Sequence, residues 1–236
     1  MVTPTQLEAH KIVETVAVLN NRISERFPDS GLGRTCSKLL NISRQAGARA
    51  ERLSRPNIWL RFGIAALIIS FVIGAIAGIS NLSFQYQGMN FVEFIQFIEA
   101  GINDIVLISA GLFFLITIES RLRRHQILKA LHEIRSIAHI VDMHQLTKDP
   151  AYIISKRAKR TKSSPQRTMT AFELTRYLNY CSEMFSLIGK LGALYVQNVD
   201  DGVALASVNE IEGLTTGLSR KVWQKIMILQ NLARKV

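Results

Sequence analysis

Apolar positions recur along this chain at helical spacing, and no stretch shows the two-residue alternation of a strand. Ile12, Val16, Leu19 and Ile23 repeat at four-three-four spacing, the seam of a helix packed on another helix. Thr5 is placed to cap that helix. Phe27-Pro28-Asp29 stops it, and Gly31 with Gly33 makes the turn. A second, basic helix is expected from about Arg34 to Arg55, because the residue before Pro56 is steered away from helical backbone. Ile127, Leu131, Ile134, Ala138 and Val141 keep a heptad-like seam and read as a stalk. Thr170-x-x-Glu173 is a capping box opening a long helix, with Leu174, Leu178, Cys181, Phe185, Ile188 and Tyr195 as its apolar stripe. After the turn Asp200-Asp201-Gly202, a last helix is expected from about Val203 to Leu232. Its inward face is Ile211, Leu214, Leu218, Val222, Ile226 and Leu229. Gly213 and Gly217 are expected to admit a closely packed partner helix. This C-terminal hairpin should pack on the N-terminal arm.

Two stretches break the amphipathic pattern. No charge occurs from Phe62 to Val92. Counted from Trp59 to Ser80 the apolar part is roughly 33 Å of helix at ~1.5 Å per residue, enough for a ~30 Å hydrocarbon core. Trp59 and Arg61 sit where an interfacial anchor belongs. The second run, Ile105 to Ile118, covers only about 21 Å. To span, it must recruit Asp104, Asn103 and Glu99 upstream. The expectation is one helix from about Phe91 to Glu119, or an interfacial helix that breaks near Gly101.

Charge then orients the chain. Residues 1–61 carry ten Lys/Arg, the 81–104 connection none, and residues 119–236 nineteen, which together make the 29 of the sequence. The positive-inside rule places both termini in the cytoplasm. The first 25 residues are polar and charged, unlike a signal peptide. Cys36 and Cys181 are too few for a disulfide framework and, on the reducing side, are expected to be free thiols. A mean hydropathy of +0.16 with 20% charged residues excludes a disordered chain and a collagen-like one.

The expected fold is an all-α membrane protein: two transmembrane helices with a cytoplasmic helical bundle of N-terminal hairpin, stalk helix and C-terminal hairpin. Its parts are residues 1–56, cytoplasmic N-terminal helices; 57–119, the membrane hairpin with a short external connection; 120–146, the stalk; 147–169, a basic linker; and 170–236, the C-terminal hairpin.

Chemistry is sparse. Gly31-Leu32-Gly33-Arg34-Thr35 lacks the spacing and the preceding strand of a phosphate loop and reads as a turn. His125, His132 and His139 recur every seven residues, but ~10.5 Å apart along an axis they cannot share a metal within one chain. Glu210 and Glu212 point to different helix faces. No catalytic residue, metal ligand or cofactor is expected, and the chain is not expected to be an enzyme.

Three groups remain as candidate sites. Glu93, Gln96, Ala100, Asn103, Asp104, Leu107 and Gly111 fall within about 100° of one helix face. Symmetric copies would make an acidic mouth above an apolar constriction, so Glu93, Gln96, Asn103, Asp104, Leu107 and Gly111 are candidate pore-lining residues. Asp104 alternatively caps a short second span at the interface. Ala66, Ser70, Gly74 and Gly78, with a GxxxG at the last two, are candidate helix-packing residues for a homo-oligomer. Lys156, Arg157, Lys159, Arg160, Lys162 and Arg167 read as a solvated charge run, a contact to anionic lipid, or a site for an anionic cytosolic ligand such as a nucleotide or oligonucleotide.

The stretch Trp59 to Glu119, with the basic segment Lys156 to Arg167, resembles in architecture the small two-span effectors of bacterial anti-phage nucleotide-signalling systems. That resemblance implies an oligomeric pore in the bacterial inner membrane, opened by a cytosolic nucleotide or oligonucleotide in antiviral defence. It carries over no functional residue. A cation-conducting pore gated by the basic cytosolic domain is the leading expectation. The rival is a membrane-anchored scaffold or adaptor whose helical cytosolic domain binds a partner protein.

Overall fold

The computed structural model describes residues 6–54, 62–66, 68–70, 72–74, 91–150, 162–163 and 169–233. Among these residues every regular element is an α-helix and there is no strand, as the periodicity predicts. The helices are α1 (Ala9–Arg26), α2 (Gly31–Ser54), α3 (Phe91–Leu146), α4 (Ala171–Val196) and α5 (Gly202–Ala233). The chain divides into two compact units, Met1–Ser54 with Gln126–Val236, and Arg55–His125.

The larger unit is a helical bundle. Its α1 seam, Ile12, Val16, Leu19 and Ile23, is buried as predicted. So are Ile127, Leu131, Ile134, Ala138 and Val141 of α3. Every residue of the predicted α4 stripe is buried, and so is the α5 stripe apart from half-buried Leu214. Each such aliphatic or aromatic side chain contributes ~1.5–3 kcal/mol by leaving water. Helices α1 and α2 run antiparallel, as Ser37 Oγ donating to Asn20 Oδ1 at 2.9 Å and the meeting of Ala9 with Gly47 require. At Gly47 a Cβ would lie 2.9 Å from that of Ala9, so glycine is what lets these two backbones approach. The C-terminal hairpin packs on α1 and α2 through α4.

The helix boundaries correct the sequence in three places. Helix α1 begins at Ala9 with Glu8 as its N-cap and no side-chain cap at that position, whereas Thr5 lies outside the described residues. The preceding residues are tied elsewhere: Leu7 N donates to Gln197 Oε1 at 3.0 Å, and Gln6 Nε2 to Asn198 Oδ1 at 3.3 Å. Gly31 and Gly33 are not the turn but the first turn of α2. The reversal lies at Phe27–Ser30, with Asp29 at φ 55, a left-handed conformation that aspartate tolerates. Ser30 Oγ then accepts from Gly33 N at 3.1 Å and caps α2. Finally, Gly213 and Gly217 meet nothing within 4 Å of an added Cβ. They lie on the outer face of α5, because α5 turns Val208, Ile211 and Thr215 toward α4, opposite Gly189 and Gly192.

The caps on the C-terminal hairpin are the predicted ones. Thr170 Oγ1 accepts from Glu173 N at 3.2 Å, and Thr170 N donates to Glu173 Oε2 at 2.8 Å. Asp201 Oδ1 accepts from Val203 N and Ala204 N at 3.1 and 3.0 Å, opening α5. At the far end of α3, Lys225 Nζ donates to the Gln145 carbonyl at 2.7 Å and to Gln145 Oε1 at 2.6 Å. A helix leaves its last carbonyls without partners, and a cation there also meets the negative end of its dipole.

The smaller unit contains the Phe91–His125 part of α3. Residues 62–66, 68–70 and 72–74 are helical. The remainder of the first expected span, Trp59 to Ser80, and the external connection 81–90 lie outside the described residues. Among the described residues, no helix is long and apolar enough to cross a membrane. Helix α3 has no break at Gly101.

Candidate functional site

Helix α3 carries the expected pore residues. Gln96, Asn103 and Gly111 are exposed on it. Glu93, Asp104 and Leu107 occupy positions on the same stripe by register alone. Nine large apolar side chains are exposed too: Phe91, Val92, Ile95, Ile98, Ile102, Ile105, Val106, Phe113 and Phe114. At ~100° per residue seven of them cluster within about 60° of Phe91, while Val92 and Phe114 lie toward the opposite side, on which the polar stripe centres. The segment therefore has one predominantly apolar open face, with exposed Ser109 on it, and one face that carries the polar stripe.

Of the expected packing stripe, Ala66, Ser70 and Gly74 are exposed, and a Cβ on Gly74 would meet nothing within 4 Å. Gly78 lies outside the described residues. Lys156, Arg157, Lys159, Arg160 and Arg167 also lie outside them, and Lys162 is exposed. His125, His132 and His139 are exposed on the flank of α3, and no group of metal-ligating side chains forms among the described residues.

Both cysteines are free and buried. Burial pushes the Cys36 and Cys181 thiols up to about 12, so neither supplies a thiolate at neutral pH.

Folding brings together two arginine-containing sites that the sequence does not announce, the first of which also holds Glu25 and Glu173. In the first, Arg22 and Arg26 of α1 meet Arg176 and Tyr180 of α4. The Arg22 and Arg176 guanidiniums lie 5.1 and 5.3 Å from the Tyr180 ring centroid, and Arg26 lies 5.5 Å from that of Phe172. Arg22 also pairs with Glu183 at 2.9 Å. Burial by itself would raise the Tyr180 phenol, but Arg176, Arg26 and Arg22 outweigh it and hold the phenol below its ordinary value. The sequence signal was present as two i, i+4 pairs, Arg22/Arg26 and Arg176/Tyr180, which put each pair on one face. Nothing in it says that the two faces meet.

In the second, the last turns of α2 and the Gln126–Glu133 turns of α3 enclose a cavity of about 590 Å³. Arg49, Arg52, Lys129, His132 and Glu133 line it over an apolar floor of Leu53 and Ala130. Arg49 Nη1 pairs with Glu133 Oε2 at 2.9 Å, and that hydrogen bond raises the guanidinium's already high pKa. Behind the pair, the Tyr195 hydroxyl is buried beside Arg49 but makes no hydrogen bond of acceptable geometry.

Comparison of the chain with protein-family models, with characterised proteins and with solved structures finds no match.

Proposed function

We propose that this protein is a homo-oligomeric inner-membrane channel that conducts cations and is gated by its basic cytosolic unit. In this reading the segments Trp59–Ser80 and Phe91–Glu119 cross the bilayer with both termini cytoplasmic. An anionic cytosolic ligand, a nucleotide or oligonucleotide, acts on the cytosolic unit in anti-phage defence. The observation that supports it is the two-faced 91–118 stretch of α3. Its apolar face, with Phe91, Ile102, Ile105 and Phe113 open, is a surface that soluble monomers seldom leave uncovered and that lipid covers at no cost. The opposite face carries the positions of Glu93, Gln96, Asn103 and Asp104, groups that need water or a bundle interior at membrane depth. Several copies with the polar stripes facing one another satisfy both demands.

The outer face of α5 favours the second reading, a membrane-anchored scaffold. Met227 and Ile228, with Trp223 at the flank, are exposed there around Gly213 and Gly217, interleaved with exposed Arg220 and Gln224, which gives a partner helix a mixed apolar and polar surface to dock on.

Reversal potentials in bilayers under a salt gradient separate the two. Asp104→Asn should lower cation selectivity, and Asp104→Lys should abolish it or reverse it, because a ring of like charge repels the permeant ion. Selective wild-type current that passes through Asp104→Lys unaltered removes Asp104 from the pore. Absence of any wild-type flux leaves the scaffold.

A further inference from the structure

We infer that the cavity between the end of α2 and the Gln126–Glu133 turns of α3 is a binding site for a phosphate ester. Three cations, Arg49, Arg52 and Lys129, face one carboxylate, Glu133. Arg49 is committed to Glu133, whereas Arg52, Lys129 and His132 have no ion pair among the described residues. Two exposed cations and an imidazole line this space, and no carboxylate among the described residues pairs with them. Guanidinium and ammonium groups in such an arrangement bind phosphate oxygens through short, charge-assisted hydrogen bonds.

The buried Tyr195 hydroxyl strengthens the case. The residue is 1% exposed, it sits against Arg49, and its hydroxyl has no hydrogen-bond partner of good geometry among the described residues. Its neighbour is the cavity's own arginine, so a ligand oxygen that draws on Arg49 also changes what Tyr195 faces.

The floor of Leu53 and Ala130 is apolar, which suits an ester carrying a non-polar group better than a bare ion. The cavity also sits where the chain passes between its two units. Leu53 is two residues before Arg55, and Gln126 directly follows His125. Along α3, Gln126 is seven residues past Glu119, about 10 Å at ~1.5 Å per residue. A phospholipid headgroup is one source of the phosphate and a soluble phosphate ester the other. Only the lipid source rests on the membrane reading proposed above.

The test uses the full chain in a phosphate-free maltoside detergent and follows its thermal unfolding. The probes are dioctanoyl phosphatidylglycerol, glycerol phosphate, and dioctanoyl glycerol as the phosphate-free control. The variant is Arg52→Gln/Lys129→Gln, both residues exposed and so without a folding role. Lys221→Gln, exposed on α5, is the control for loss of a surface cation elsewhere.

Phosphatidylglycerol or glycerol phosphate should stabilise the wild type and Lys221→Gln, dioctanoyl glycerol should not, and the double variant should bind roughly 10- to 100-fold more weakly. Dependence on the lipid alone identifies a headgroup site, and an equal response to glycerol phosphate identifies a soluble ligand. Equal stabilisation of wild type and double variant, or equal binding of dioctanoyl glycerol, overturns the proposal. So does the lack of a response to both phosphates. Alkaline carbonate extraction reads the membrane assignment separately. Recovery of the chain in the aqueous fraction defeats that assignment and leaves the glycerol phosphate arm standing.

Discussion

Replacing Gly213 and Gly217 of α5 by alanine should stabilise the protein. Both glycines are inside a 32-residue helix, both are exposed, and an added Cβ at either meets nothing within 4 Å. Glycine in an exposed helix interior costs ~0.8–1.0 kcal/mol against alanine, so the double variant should gain about 2 kcal/mol. For a chain of this size that is roughly 4–8 °C in melting temperature. Gly47→Ala provides the contrast. Its Cβ would stand 2.9 Å from the Ala9 Cβ, an atom with no rotamer to escape through. Ordinary carbon contacts are ~3.5–4.0 Å, so α1 and α2 must part by about 0.6 Å or more. Overpacking of this kind costs ~1–3 kcal/mol, more than the propensity gain, and the net is a loss on the order of 1 kcal/mol. Far-UV circular dichroism of the full chain in detergent, with size-exclusion chromatography beside it, reads both. A lower melting temperature for Gly213→Ala/Gly217→Ala, or a loss of oligomers, would refute the reasoning. It would mean that a helix from another chain lies on this face, as the small-residue spacing alone suggests.

Lys225→Met keeps the length of the side chain but removes both hydrogen bonds to Gln145, which is itself 1% exposed. Bonds to a charged donor are worth ~1.5–3 kcal/mol each, part of which the half-buried lysine regains on rehydration. The expected loss is about 2 kcal/mol, or roughly 4–8 °C in the same melt, and an unchanged melt would show that the α3 terminus needs no such cap. His144 sits against Gly31 with its Nε2 3.1 Å from Thr35 Oγ1, and burial, then Arg34 and Lys148, lower its pKa from 6.5. Between the lowered folded value and 6.5 the unfolded chain holds a proton that the folded chain does not, so stability rises with pH across that window. Melting temperature should therefore fall on acidification from about pH 7.5 to about pH 5.5, above the range where carboxylates titrate, and less so in His144→Gln. An identical slope in the variant would assign the effect elsewhere.

Much of the bundle was legible because its causes are local. The seams of α1, α3, α4 and α5 follow from apolar spacing at 3.6 residues per turn, and the Thr170–Glu173 box caps α4 through atoms three residues apart. The sequence could also place Glu93, Gln96, Asn103 and Asp104 on one face of α3, since helical register is a counting argument.

What it could not decide was which surfaces meet. A glycine at helical spacing reads alike whether another helix packs on it or water does. Gly47 has Ala9 against it and Gly31 has His144, while Gly213 and Gly217 face open space. Capping preference is local and made Thr5 a candidate, but the partners of Gln6 and Leu7 just before α1 are Asn198 and Gln197, far along the chain. Arg22 and Arg176, or Arg52 and Lys129, are far apart in the chain and become neighbours only when the helices dock. Local order comes from backbone sterics and spacing along one chain segment. Proximity of cations from different helices comes from burial of the core between them, and that is a property of the tertiary structure.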